Sequence, residues 1–146
     1  MKPTRLIIVA VGGQGNLLAS KVLGEAALMA DIPLQMSEIH GMAQRGGVVE
    51  SALIFGNARS TIIADGEADI LVGFEMAETL RSIEWLSPGA RVIAENKAIL
   101  PYTSLVGQSA YPFDALEKVR PRMADAFSTL PKADVEIKPY PAYRAS

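Results

Sequence analysis

Leu6-Ile7-Ile8-Val9-Ala10-Val11 is an unbroken apolar run, rich in β-branched residues and closed by Gly12-Gly13. A run without polar alternation describes a strand covered on both faces, the usual state of a strand in a parallel sheet. Gly12-Gly13-Gln14-Gly15 then turns the chain, and Asn16–Ala30 reads as a helix. Leu18, Val22 and Met29, with Leu17, Ala26 and Ala27 beside them, give that helix a broad apolar face. Lys21 and Glu25 stand one turn apart on its polar side. Gly24 in its interior costs up to about 1 kcal/mol relative to Ala. Close packing of helix on sheet is a reason to accept that cost.

Further along, 32–39 is a short extended segment opened by Pro33, 40–47 a polar glycine-bearing loop, and Val48–Phe55 a strand. Gly56-Asn57 signals a turn, and 61–64 a short extended piece. Asp69–Phe74 reads as a strand. Met76–Trp85 reads as a helix with Leu80 and Ile83 inward and Glu75, Glu78 and Arg81 outward. Ser87-Pro88-Gly89 ends it as a turn before a buried strand at Ala90–Glu95. Beyond Asn96 the pattern weakens to a turn at Gly107, a short helix at Asp114–Val119 stopped by Pro121, a second at 122–130, and an extended run at 135–137. Strand–helix–strand units occur twice around a hairpin-like middle. That alternation predicts an α/β layered, Rossmann-like domain with a mainly parallel or mixed sheet. At 146 residues the chain fits one domain over 1–146, since domains average about 150 residues.

Composition removes several functions. Fourteen basic and sixteen acidic residues give a net charge of −2, so the footprint of a nucleic-acid binder is missing. Cysteine is absent and histidine occurs once. This excludes a disulfide framework, a thiolate nucleophile, a Cys-ligated iron–sulfur cluster and a Cys/His zinc site. No apolar stretch reaches the roughly 18 residues of a spanning helix. The short N-terminal apolar run lacks the features of a signal peptide. The expectation is a cytoplasmic protein that binds no membrane.

Three constellations carry chemistry. In Gly12, Gly13, Gln14, Gly15 and Asn16 a buried strand, a glycine turn and a helix start follow in order. Glycines let the backbone approach a ligand, and a helix N-terminus favours an anion such as a phosphate. Leu18 replaces the last Gly or Ala of a dinucleotide fingerprint, and no Gly-Lys-Ser/Thr follows. A tight turn without ligand is the alternative. The second constellation is Ser37-Glu38-Ile39-His40-Gly41-Met42-Ala43-Gln44-Arg45-Gly46-Gly47. Arg45 beside Gly46 and Gly47 offers a fork for phosphate or carboxylate. A solvated loop tied by its own hydrogen bonds, with Glu38 paired to Arg45, is the alternative. The third is Asp65, Glu67, Asp69 and Glu75, whose spacing suggests magnesium but whose more frequent role is to cap strands and helices. Trp85 and Leu86 read as core and the methionines as packing. No metal site and no catalytic residue are assigned.

The two glycine motifs together resemble the gamma-type domain of 2-oxoacid:ferredoxin oxidoreductases, and within them the beta-subunit type of the indolepyruvate enzymes. The matching pieces are Gly12–Asn16, Ser37–Gly47, Gly66-Glu67-Ala68-Asp69, Gly73-Phe74-Glu75, and Ile99-Leu100-Pro101 through Tyr111-Pro112. Their order and spacing agree over roughly residues 5–112. The resemblance implies a non-autonomous subunit of a complex that decarboxylates an arylpyruvate, passes electrons to ferredoxin and forms an acyl-coenzyme A. Thiamine diphosphate and iron–sulfur clusters are then expected in the large partner subunit. The absence of Cys, and of a Gly-Asp-Gly motif followed by an Asn pair, agrees with that division.

On this resemblance the chain acts as a lid or docking module. Gly12, Gly13, Gln14, Gly15, Asn16, Ser37, His40, Arg45, Gly46 and Gly47 are the candidates for contacts with coenzyme A phosphates or the partner. From Pro121 to Ser146 the closing acidic strand and Asn-x-x-x-Leu-Gly helix of such domains do not appear. That implies a shortened C-terminal part and an edge or apolar face left uncovered. Two other readings stand beside it: a pure interface scaffold, and a free-standing nucleotide-binding domain.

Overall fold

The structure, a computed structural model, describes residues 2–40, 47–123 and 127–129. Six strands form one mixed sheet: β1 (Thr4–Val11), β2 (Leu34–His40), β3 (Val48–Phe55), β4 (Ala68–Gly73), β5 (Leu86–Ala94) and β6 (Phe127–Thr129), in the order β2-β3-β1-β4-β5-β6. β1 is the hinge between two styles of pairing. It runs antiparallel to β3 from Thr4↔Phe55 to Val11↔Val48, and parallel to β4 from Leu6↔Ile70 to Val9↔Gly73. β2 completes an antiparallel half, while β5 and β6 extend a parallel one. The α/β layered, mixed-sheet expectation is borne out.

Helices cover both faces, which is why β1 is apolar throughout rather than alternating. On one face Ile7, Val9, Ile54, Leu71 and Val92 meet α2 (Met76–Arg81) and α4 (Ala115–Met123) through Met76, Ala115, Leu116 and Val119. On the other, Leu6, Ile8 and Leu53 meet α1 (Asn16–Met29) through Ala19 and Leu23. A fourth helix, α3 (Tyr102–Leu105), is a single turn.

α1 corrects the sequence reading. Its buried residues are Asn16, Ser20, Gly24 and Ala27, whereas Leu18, Val22 and Met29 face outward. The strands beneath it supply the bulk, namely Leu34, Met36, Leu53 and Phe55, so the helix approaches with its smallest residues. A Cβ on Gly24 would stand 3.1 Å from Met36 Sδ and 3.6 Å from Leu34 Cδ2. That close approach is the one for which Gly24 was read. The buried polar groups are satisfied: Asn16 Nδ2 donates to Ser51 Oγ at 3.3 Å and Ser20 Oγ to the Asn16 carbonyl at 2.8 Å.

Other elements shift for local reasons. The helix expected over 76–85 stops at Arg81 and tightens to a 3-10 turn at Ile83–Trp85. Glu75 and Glu78, expected outward, are buried. Ser87-Pro88-Gly89 lies inside β5 as a bulge, because Ala68 pairs with Leu86 but Ile70 with Arg91. The segment 61–64 forms no strand, although Ile63 enters the core. Pro121 does not end α4 but sits in its last turn. Within 122–130, residues 127–129 pair with β5 as strand rather than helix. The extended run expected at 135–137 lies outside the described residues.

The topology brings the motifs to one rim. The C-terminal ends of β1, β4 and β5 coincide, and the antiparallel pairing adds the end of β2 and the start of β3. At this rim β4 ends in Gly73, where an added Cβ would overlap Thr79 Oγ1 and stand 2.8 Å from Thr79 Cβ. Gly73→Ala is therefore expected to cost about 3 kcal/mol. Adding Thr79→Ala should recover part of the loss, as read by urea unfolding of both variants. Equal stability of Gly73→Ala and wild type would contradict this packing.

Candidate functional site

The glycine turn is held from within. Gln14 Oε1 accepts from the Val11 N–H at 2.8 Å, and Gln14 Nε2 donates to the Phe74 carbonyl at 2.8 Å. One side chain thus clamps the ends of β1 and β4. Gly13 and Gly15 have φ of 91° and 90°, a region that penalises any side chain. Gly15 is the N-cap of α1. The Gly12 N–H donates to the Gly47 carbonyl at 3.0 Å, so the two glycine motifs meet. Gly12, Gly13 and Gln14 line an open cavity of about 370 Å³ with Phe74, Glu95, Lys97 and Ile99.

Of the candidates read from the sequence, Gly12, Gly13, Gly15 and Gly47 come together. Gln14 joins them, but its amide is used by the backbone. Asn16 is buried under α1 and bound to Ser51. Ser37 stands apart on edge strand β2 and donates to the Thr61 carbonyl at 3.2 Å. His40 ends β2 and pairs in register with Val49. Arg45 and Gly46 lie outside the described residues.

A second cavity of about 440 Å³ adjoins the first through Ile99 and includes Val11, Gly47, Glu75, Glu78, Arg81 and Tyr111 in its lining. Glu75 is its anchor and is fully buried. Its carboxylate accepts from the Glu78 N–H at 2.9 Å, from the Ile99 N–H at 3.2 Å, and from the Tyr111 hydroxyl. The first of these caps α2, which is the role expected for such acidic residues. The others tie down the chain after β5. Asp69, at the opposite end of β4, accepts from the Arg5 N–H at 2.8 Å. Strand β4 thus separates the acidic group once considered for magnesium.

Sequence reasoning missed Glu78, Arg81, Lys97 and Tyr111 as rim residues. Their signal was weak, because only the fold brings 75–81 and 97–112 together. Glu78 pairs with Arg81 at 2.6 Å. Its pKa is nonetheless raised, first by burial, with Arg81 opposing and Glu75 and Glu50 adding repulsion. Burial also raises Glu50. Burial raises the Tyr111 hydroxyl, and its bond to Glu75 raises it further.

A family model described as pyruvate ferredoxin/flavodoxin oxidoreductase matches residues 5–134. The chain belongs to this oxidoreductase family. Indolepyruvate oxidoreductase subunit IorB of Methanothermobacter thermautotrophicus is 40% identical over 114 residues, covering 78% of this chain and 57% of the relative. The chain therefore spans little more than half the length of that relative. Among solved structures, pyruvate oxidoreductase subunit PORC of Thermotoga maritima superposes with a TM-score of 0.55 at 21% identity, over 75% of this chain and 57% of that one. The 2-oxoglutarate:ferredoxin oxidoreductase of Magnetococcus marinus, solved with 2-oxoglutarate, coenzyme A and succinyl-CoA bound, gives 0.58 at 12% identity, over 90% and 20%. These two structures share the fold of this chain. Among the described residues no helix is long and apolar enough to cross a membrane.

Two outcomes test the rim. Tyr111→Phe is expected to cost about 1 kcal/mol and Glu75→Ala about 3 kcal/mol, because the latter strands buried donors. Equal effects of the two in chemical unfolding would show that Glu75 is not the anchor. The carboxyls of Glu50 and Glu78 have raised folded pKa values, so the fold favours their protonated forms. Their contribution is fully present below the unfolded pKa and is lost as pH rises through the folded one. Glu50→Gln should therefore flatten the fall in stability just above the ordinary carboxylate range, as followed by thermal melts across pH. An unchanged slope would contradict the assignment.

Proposed function

We propose that the chain is a non-autonomous part of a thiamine-dependent 2-oxoacid:ferredoxin oxidoreductase, with an arylpyruvate, indolepyruvate in particular, as the acid oxidised. The observation that carries this reading is the junction of the two glycine motifs beside a cavity at the parallel-strand rim, in a chain 40% identical to an indolepyruvate oxidoreductase subunit. Ligands of open α/β sheets bind at that edge. Thiamine diphosphate and iron–sulfur clusters in a larger partner would supply decarboxylation and the electron path to ferredoxin. This chain has no Cys to hold a cluster. Its own part is to cover the partner's active site, expel water and present backbone and positive charge. A cytoplasmic location accompanies this reading.

Coenzyme A is the small molecule the rim suits best. Among the described residues the cavity beside Gly12 and Gly13 is lined by one cation, Lys97, and one carboxyl group, Glu95, and its size fits a phosphate group rather than the whole coenzyme. Arg45 and Gly46, which precede Gly47 in the sequence, would add a second cation and glycine. An interface scaffold that touches no small molecule is the second reading. What favours it is the commitment of the Gln14 and Asn16 side chains to the fold itself.

The test is co-expression with the large subunit, followed by viologen reduction on a panel of 2-oxoacids. The chain alone should be inactive, the complex active, and indolepyruvate preferred. Lys97→Ala and Arg45→Ala should each raise the KM for coenzyme A severalfold with kcat retained. An unchanged KM in both would leave the scaffold reading. Activity of the large subunit without this chain would overturn the proposal.

A further inference from the structure

The face that α1 turns to solvent repeats in reverse. Asn16, Ser20, Gly24 and Ala27 fix its inner side. At 3.6 residues per turn, Leu17 and Leu28 then emerge on one flank of the outer side and Leu18, Val22 and Met29 on the other. Lys21 and Glu25 lie between them. All are exposed, Leu18 by 67%, Leu28 by 68% and Met29 by 87%. Single exposed leucines are ordinary. Five large apolar residues on one helix, with the small residues buried instead, are not.

We propose that this face is the contact between two copies of the chain, with their α1 helices antiparallel about a two-fold axis at the level of Leu23. In that register Leu17 lies beside Leu28 of the other copy on one flank, Leu18 beside Met29 on the other, and Lys21 opposite Glu25. The leucines and Met29 meet apolar side chains, lysine meets glutamate, and the two-fold makes every contact twice, as an isologous interface requires. The apolar side chains expose roughly 600 Å² per copy, the upper range of bare patches on monomers. A pair that covered all of it would bury on the order of 1,200 Å², where specific interfaces begin. The apolar area drives association. The exposed ion pairs add little energy but select the antiparallel register, because a parallel pairing sets Lys21 against Lys21. This inference is independent of the proposed function, since it uses none of the rim residues.

The test is sedimentation equilibrium of the full chain over a wide concentration range. Wild type should show a monomer–dimer equilibrium, and Leu18→Asp should weaken it at least roughly tenfold. Lys21→Glu and Glu25→Lys should each weaken self-association. Mixing the two variants should restore it, because each copy then meets an opposite charge on the other. Circular dichroism should leave the charge variants unchanged, so the mixing result stands even if Leu18→Asp fails to fold. A wild type that stays monomeric at every concentration overturns the proposal. So does a dimer indifferent to all of these changes, or a Leu18→Asp chain whose only defect is loss of the large subunit.

Discussion

One buried carboxyl group organises the rim where β1, β4 and β5 end. Glu75 sits where β4 ends, and it accepts hydrogen bonds from α2, from the chain after β5, and from Tyr111. A charge so deep is tolerable only when fully satisfied. Its three donors come from segments that no sheet or helix otherwise binds to one another. The neighbouring clamp by Gln14 does the same for β1 and β4, and the bond from Gly12 to Gly47 brings in the second glycine motif. The rim is therefore preorganised by backbone-directed hydrogen bonds together with the packing of Met76, Ala98 and Tyr111 on the core.

Much of this was legible in the sequence wherever one local signal dominated. The apolar run of β1, the glycine turn and the strand at Val48–Phe55 follow from burial on both faces and from glycine's freedom. The cost of Gly24 foretold close contact with the sheet. What failed did so because a neighbour decided it. The apolar face read for α1 at Leu18, Val22 and Met29 lies outward, because Leu34, Met36 and Leu53 fill the space beneath and the helix approaches through Asn16, Ser20, Gly24 and Ala27, with Leu23 beside them. Glu78 looked like a solvated helix residue, yet the packing of distant segments around α2 buries it.

The candidate site was half legible for the same reason. Glycines at the turn announce themselves, because positive φ admits little else. Side chains do not announce whether they face a ligand or the fold. Gln14 and Asn16 proved to serve the fold, and Ser37 proved remote. Lys97, Arg81 and Tyr111 reach the rim through long-range packing that no local spacing encodes. The resemblance of the motifs to 2-oxoacid oxidoreductases singled out glycines that the fold gathers at one edge of the sheet, without assigning each residue its task.

The central claim is that this rim, and not the sheet's opposite end, is the face that works against the large subunit. Hydrogen–deuterium exchange of the chain, free and in complex with that subunit, addresses it directly. The account predicts slowed exchange at the glycine turn, at residues 73–76 and along 97–112. Protection confined to the opposite ends of β1 and β4, with the rim exchanging as in the free chain, would contradict it.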